Sequence, residues 1–298
     1  MIETALSGLV YSSLLSLMAL GITLLYRTTK VPNFAHASFV TLGVYSSYTL
    51  YLLKLNPYYG IILGFVISGL AALLLFYAIL EPLRRRKASV FMLMMATLTY
   101  DITLFGVINI YADYLQTTFK VPARNVFLAA ADIDIMGLRG ILIIAPIVFV
   151  VSLASMYILL YKTYIGVATR AIMENPMLAS SMGVNVSLML ALSWFLAGGL
   201  AGVAGSLYPM YSAGSPSIGM MLIAIMFCAS ILGGLEHVWG APIGGFILGY
   251  VQTVLISFLV SYLGLYWITA YQNMIVYLVL AITLLTIPRG VVSLILRR

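Results

Sequence analysis

A succession of apolar runs of about 20 residues, the length that crosses a bilayer core of roughly 30 Å, restricts this chain more than any other feature. Short charged or glycine-rich breaks separate the runs. Hydrophobic residues make up 63% of the 298 and charged ones 8%, more apolar side chain than one water-soluble core of this length buries. The expected fold class is therefore all-α, a polytopic transmembrane helical bundle of about 8–10 spans. Alternating segments of about 10 residues, the mark of an outer-membrane barrel, are absent.

The candidate spans are Thr4 to Tyr26, Phe34 to Leu53, Tyr58 to Leu80, Ser89 to Ile110, Gly140 to Leu160, Val186 to Leu207, Ile218 to Leu235, Ala241 to Leu263 and Tyr266 to Ile287. The seventh is short and flanked by glycine, so it reads as broken or re-entrant as readily as a full crossing. Met1-Ile2-Glu3 carries no basic start, so the first run reads as a retained span rather than a cleaved signal. If all these runs cross with the C-terminus inside, the inner side holds Arg27, Lys30, Arg84, Arg85, Arg86, Lys87, Lys162, Arg170, Arg289, Arg297 and Arg298. Only Lys54, Lys120, Arg124 and Arg139 of the 15 Lys and Arg then lie outside. That asymmetry predicts an outer N-terminus and a cytoplasmic C-terminus in a cell membrane. It also accounts for the net charge of +7 without a nucleic-acid partner.

Residues 1–298 read as one transmembrane domain with two longer connections, an outer loop at 111–139 and an inner segment at 162–185. In the outer loop, the alternation of Val126-Phe127-Leu128 and Ala131 to Ile135 predicts a short β-hairpin. In the inner segment, Asn175 suits a helix N-cap, Pro176 the first helical turn and Gly183 a left-handed stop. The piece before it places Val167, Ala171 and Glu174 on one side, with Arg170 nearby. Two helices this short are unstable alone and need a surface to pack on. That surface is either the lipid headgroups or a cytoplasmic partner.

The run Gly166-x-x-x-Arg170-Ala171-x-x-Glu174-Asn175-Pro176-x-x-Ala179-x-x-x-Gly183-Val184-Asn185 closely resembles the cytoplasmic loop of permeases from branched-chain amino acid ABC importers. Asn33-Phe34-Ala35-His36 is similar to a signature of that family. So are the glycine-rich stretches Ala197 to Gly205, with Gly198 and Gly202, and Leu232-Gly233-Gly234-Leu235 through Gly240 to Gly244-Gly245, and the ending Pro288-Arg289-Gly290. The family usually continues its signature with glycine and an acidic residue, where this chain has Ala37-Ser38. The resemblance implies a second homologous permease, two cytoplasmic ATP-binding subunits and an extracytoplasmic substrate-binding protein. It also implies that Gly166 to Val184 docks on the ATPase, and that the outer loop near Asp132 and Asp134 helps seat the binding protein. ATP would be used by the partner subunits, with no cofactor or metal held by this chain.

Several residues carry competing readings. Gly198 and Gly202, Ala201 and Gly205, Gly240 and Gly244, and Gly245 and Gly249 are small residues four apart, which favours close helix packing. Asp101 is a carboxylate well inside a span and is a site candidate by default, although pairing with Thr97, with a basic group, or a protonated structural role would serve equally. Asn33, Phe34 and His36 are candidates for the translocation pathway or a gate, His36 also for a plain structural hydrogen bond. Glu236 and His237 make a poor metal set and read as a solvated turn. No Gly-x-x-x-x-Gly-Lys-Ser/Thr phosphate loop and no Ser-His-Asp or Gly-x-Ser-x-Gly arrangement occurs. The sequence therefore reads as a transport subunit rather than an enzyme, energised by separate ATPases and working by alternating access. Its rival is a self-contained secondary transporter or channel that uses Asp101 and His36.

Overall fold

The computed structural model describes residues 2–135, 137–235, 237–287 and 290–292. The helices are α1 (Ile2–Thr29), α2 (His36–Leu52), α3 (Gly60–Leu75), α4 (Glu81–Arg85), α5 (Val90–Phe119), α6 (Ile141–Lys162), α7 (Tyr164–Glu174), α8 (Pro176–Ser181), α9 (Val186–Tyr211), α10 (Ile218–Gly233), α11 (Gly240–Leu263) and α12 (Gln272–Thr286). A π turn at Phe76–Leu80 joins α3 to α4 just before Pro82, whose ring nitrogen has no N–H to give the helix ladder. Six helical rods are long and apolar enough to cross a membrane among the described residues: α1, the joined α3–α4 rod, α5, α6, α9 and α11.

Each expected span coincides with a helix, yet α2, α10 and α12 are only 17, 16 and 15 residues long. Two of these shortfalls have a clear cause. His36, the first residue of α2, lies against Met18, which is eleven residues, or about 16 Å at ~1.5 Å per residue, from the end of α1. The non-helical stretch before it therefore dips deep into the bundle, with Val31, Asn33 and Ala35 all buried. On the other side of the protein the chain leaves α9 at Tyr211 and re-enters before α10, whose Gly219 abuts the Ala37 carbonyl and Thr41 of α2. So α2 and α10 start inside the bundle and run to opposite ends. Irregular backbone at membrane depth is tolerated here because protein covers it.

At the centre, α9 lies between α2 and α3, and α11 lies along α1. These contacts are backbone to backbone. A Cβ on Gly202 would overlap the Gly64 carbonyl, one on Gly205 the Val40 carbonyl, and one on Gly43 the Gly202 carbonyl. On the second seam Gly245 and Gly249 sit against Ser16 and Ser12 of α1. Buried hydroxyls knit the same seams: Ser47 donates to the Ser206 carbonyl (2.7 Å) and Ser16 to the Pro242 carbonyl (2.8 Å). In lipid, where hydrophobicity gives no drive for helix association, close packing and such hydrogen bonds hold the bundle. Gly198 meets Ala72 and Ser68 of α3, and Gly233, Gly240 and Gly244 close the turn between α10 and α11. Gly234 ends α10 with φ +106°.

The outer loop folds otherwise than the alternation predicts. The hairpin pairs Asp134 with Arg139 and Ile135 with Leu138, while Val126 bridges to Gly214 and Ala129–Ala131 forms a 3-10 turn. Asp132 directs this arrangement. Its Oδ1 accepts from the Tyr58 hydroxyl (2.5 Å), its Oδ2 accepts from the Ile141 amide (3.2 Å), and Arg139 lies 3.6 Å away. With its side chain 3% exposed, Asp132 is occupied as a structural clamp, whereas Asp134 faces outward.

Candidate functional site

One end of the bundle carries the basic residues Arg27, Arg84, Arg85, Arg86, Lys162 and Arg170, and here α7 and α8 project. Local chemistry defines both helices. Thr163 caps α7 by accepting from the Gly166 amide (3.2 Å), and Asn175 caps α8 by accepting from the amides of Met177 (3.1 Å) and Leu178 (3.0 Å). Pro176 follows at the first helical position, and Gly183 ends the segment at φ +86° as Val184 N–H donates to the Ala179 carbonyl (3.1 Å).

The segment is fixed to the body at three places. A Cβ on Gly166 would overlap the carbonyls of Leu159 and Leu160, so α7 turns directly off the end of α6. Glu174 pairs with Arg27 of α1 at 3.4 Å, and buried Ala179 faces inward beside α9. Arg170 does not project with α8. Its guanidinium lies over the Tyr161 ring, 4.7 Å from the centroid. Ala171 is exposed, and Val184 is half-buried. Most of what projects on α8 is apolar: Met177 is 85% exposed and Met182 78%, with Leu178 also exposed.

Inside the bundle, the structure gathers the residues around the start of α2. His36 Nε2 donates to the Met18 carbonyl at 3.0 Å, in space left by Gly21, where a Cβ would press on the imidazole. Asp101 Oδ1 accepts from both the amide (3.0 Å) and the hydroxyl (2.5 Å) of Ser38. Thr97, one of the alternative partners for Asp101, bonds elsewhere: it donates to the Met94 carbonyl (2.8 Å) and accepts from the Phe34 amide (3.2 Å). Phe34 also packs against Phe227 of α10, ring centroids 5.5 Å apart. Asn33 is buried with neither its Oδ1 nor its Nδ2 hydrogen-bonded, and His36 Nδ1 is likewise unpartnered.

From the end opposite the basic one, a cavity of about 490 Å³ descends between α1, α9, α10, α11 and α12. Its polar lining includes Tyr11, Tyr208, Tyr211, Gln252, Gln272 and Asn273, and none of the described residues that border it is charged. Sequence reasoning missed this set. A glutamine inside an apolar run, Gln252, was its available signal. Glu236, Pro288 and Arg289 lie outside the described residues.

Membrane-length helices, two half-helices meeting inside the bundle and a polar cavity open at one end define a multi-pass membrane permease. A family model described as "Branched-chain amino acid transport system / permease component" matches residues 4–284, and the chain belongs to that family. It is 42% identical over 95% of its length, and 90% of the relative's, to a probable branched-chain amino acid transport permease protein LivH of Methanocaldococcus jannaschii. It is 24% identical to the high-affinity branched-chain amino acid transport system permease protein LivH of Salmonella typhimurium, and 23% to BraD of Pseudomonas aeruginosa, in both cases over 98% of this chain and 95% of the relative. No solved structure matches. A permease subunit, one component of a transport system, is thus what this chain is, and a self-contained transporter is not favoured.

Proposed function

We propose that this permease imports branched-chain or related amino acids by alternating access and is driven by two cytoplasmic ATP-binding subunits. It pairs with a second homologous permease and receives solute from an extracytoplasmic binding protein. The N-terminus lies outside and the C-terminus in the cytoplasm, which puts the basic end inside.

The observation that carries this reading is the projecting α7–α8 segment. Its tip is apolar and capped at both ends, and its base is joined to α1, α6 and α9. A partner that grips Met177, Leu178 and Met182 and then moves displaces three helices of the bundle together. Such leverage works only if the partner binds one permease conformation better than another. The cavity at the opposite end supports the solute class: neutral hydrogen-bonding groups beside Leu222 and Ile225 suit a zwitterion with an apolar side chain.

The test is reconstitution with the cognate ATPase and binding protein. Met177→Asp with Met182→Asp should abolish ATPase recruitment and ATP-dependent uptake while the permease still folds. Undiminished recruitment and uptake by that variant, or accumulation of solute by this chain without an ATPase, overturns the proposal.

A further inference from the structure

At the basic end, a cavity of about 190 Å³ opens between the end of α6, the inner face of α7 and the α10–α11 turn. Arg27, Tyr161, Arg170, Glu174, His237 and Trp239 line it. Two guanidiniums share it with the single carboxylate of Glu174 among its described lining. That carboxylate is engaged only at 3.4 Å by Arg27 and is 82% exposed to solvent. The Nε atoms of both Arg27 and Arg170 are buried there without a hydrogen-bond partner. A guanidinium offers five N–H donors in a rigid fork, and a buried donor left unpaired is costly. The cavity is thus a positive pocket in which these two Nε–H donors are unspent, while Arg27 Nη2 reaches Glu174.

Its walls locate it in the bilayer. The Trp239 indole N–H donates to the Tyr161 hydroxyl (3.0 Å), and Tyr157 stacks on Tyr161 with centroids 5.1 Å apart. Tyrosine and tryptophan gathered at the end of a lipid-facing helix mark headgroup depth. The commonest anion at that depth is a phosphate, which paired arginines bind by forked hydrogen bonds.

We propose that this cavity binds a phosphate oxyanion between Arg27 and Arg170, against the aromatic wall of Tyr161 and Trp239. The phosphate comes either from a phospholipid headgroup entering beside α6 or from free phosphate in the cytoplasm. Once bound, it bridges α1 to α7 and stiffens the base of the projecting segment. This assignment does not depend on which solute the permease carries.

The experiment uses the purified full chain in neutral detergent, with two probes. Native mass spectrometry follows retention of dioleoylphosphatidylglycerol against phosphate-free dioleoylglycerol, and equilibrium dialysis follows radiolabelled inorganic phosphate. The wild type is expected to bind one probe, and Arg27→Gln with Arg170→Gln to bind it at least tenfold more weakly. Preference for the anionic lipid assigns a headgroup site, and phosphate binding without lipid preference assigns the free ion. Glu174→Gln, an exposed substitution, removes the competing carboxylate and should tighten the same probe severalfold. If the double variant fails to fold, Glu174→Gln decides alone. Equal binding of both probes by wild type and double variant, or no tightening in Glu174→Gln, overturns the proposal.

Discussion

Asp101 of α5 caps the buried start of α2 by holding Ser38 through both its backbone amide and its hydroxyl. A helix that begins in water takes its first N–H partners from a local cap residue or solvent. Here the residue at the cap position is Ala35, which has no side-chain acceptor, and the helix begins inside the bundle. A carboxylate on a neighbouring helix supplies the acceptor, and it faces the positive end of the α2 dipole. Ser38 is thus the donor that Asp101 needs.

Removing that acceptor should destabilise the protein. Asp101→Leu leaves the Ser38 amide unpaired in a buried site, while the Ser38 hydroxyl keeps the backbone carbonyl of residue 101 (3.1 Å), an expected cost of about 1–3 kcal/mol. Asp101→Asn keeps an oxygen at the same place and should cost less than half of that. Thermal unfolding of the purified variants in detergent measures the difference, and an Asp101→Leu variant that melts with the wild type would remove the cap from the account.

Two glycines of similar sequence context should respond oppositely. At Gly205 a Cβ overlaps the Val40 carbonyl, so Gly205→Ala forces α9 off α2 at a cost of about 1–3 kcal/mol, the range for overpacking. At Gly106 on α5 a Cβ meets nothing within 4 Å, and Gly106→Ala should stabilise by up to about 1 kcal/mol through helix propensity. Melting temperatures moving in the same direction would contradict the packing assigned here.

The legible parts of the chain were those governed by local rules. Hydrophobic run length located every helix that builds the bundle, and Asn175, Pro176 and Gly183 outlined α8, because caps and stops act within a few residues. What escaped were pairings across the fold. Nothing near Ser38 in sequence points to Asp101, 63 positions away, and nothing near Val126 points to Gly214. The shortness and glycine flanks of the seventh run marked α10 as broken or re-entrant, whereas nothing local to Lys30 through Ala35 showed that the stretch before α2 turns inward. Several helix ends gave no glycine to read either: Lys30, Lys54, Lys87 and Lys120 adopt the left-handed conformation where glycine is usual.

The α8 cap offers a graded test of the projecting segment. Asn175→Ala removes the acceptor for two amides and should cost the segment about 1 kcal/mol, while Asn175→Asp retains it. Because α8 contacts little beyond α7 and α9, the global melting temperature should barely move. Hydrogen exchange confined to the 177–182 amides should rise severalfold in Asn175→Ala, with ATPase affinity falling alongside. Faster exchange with unchanged affinity would separate the helix from the docking role.

Gln252 permits the sharpest separation of stability from transport. It is 6% exposed, lines the polar cavity, and holds its Oε1 buried without a hydrogen-bond partner. A lone buried acceptor costs the empty protein free energy, so Gln252→Leu, which fills similar volume without the amide, should leave the melting temperature unchanged or raise it. In transport the sign reverses. If the cavity receives an amino acid, its ammonium group is the natural donor to that oxygen, and losing a contact worth about 1–2 kcal/mol should raise the apparent KM for uptake roughly 5- to 30-fold. A purely structural glutamine would move both measurements together or neither. Uptake kinetics in reconstituted vesicles, set beside detergent melting of the same preparation, therefore decide whether the cavity lies on the solute's path.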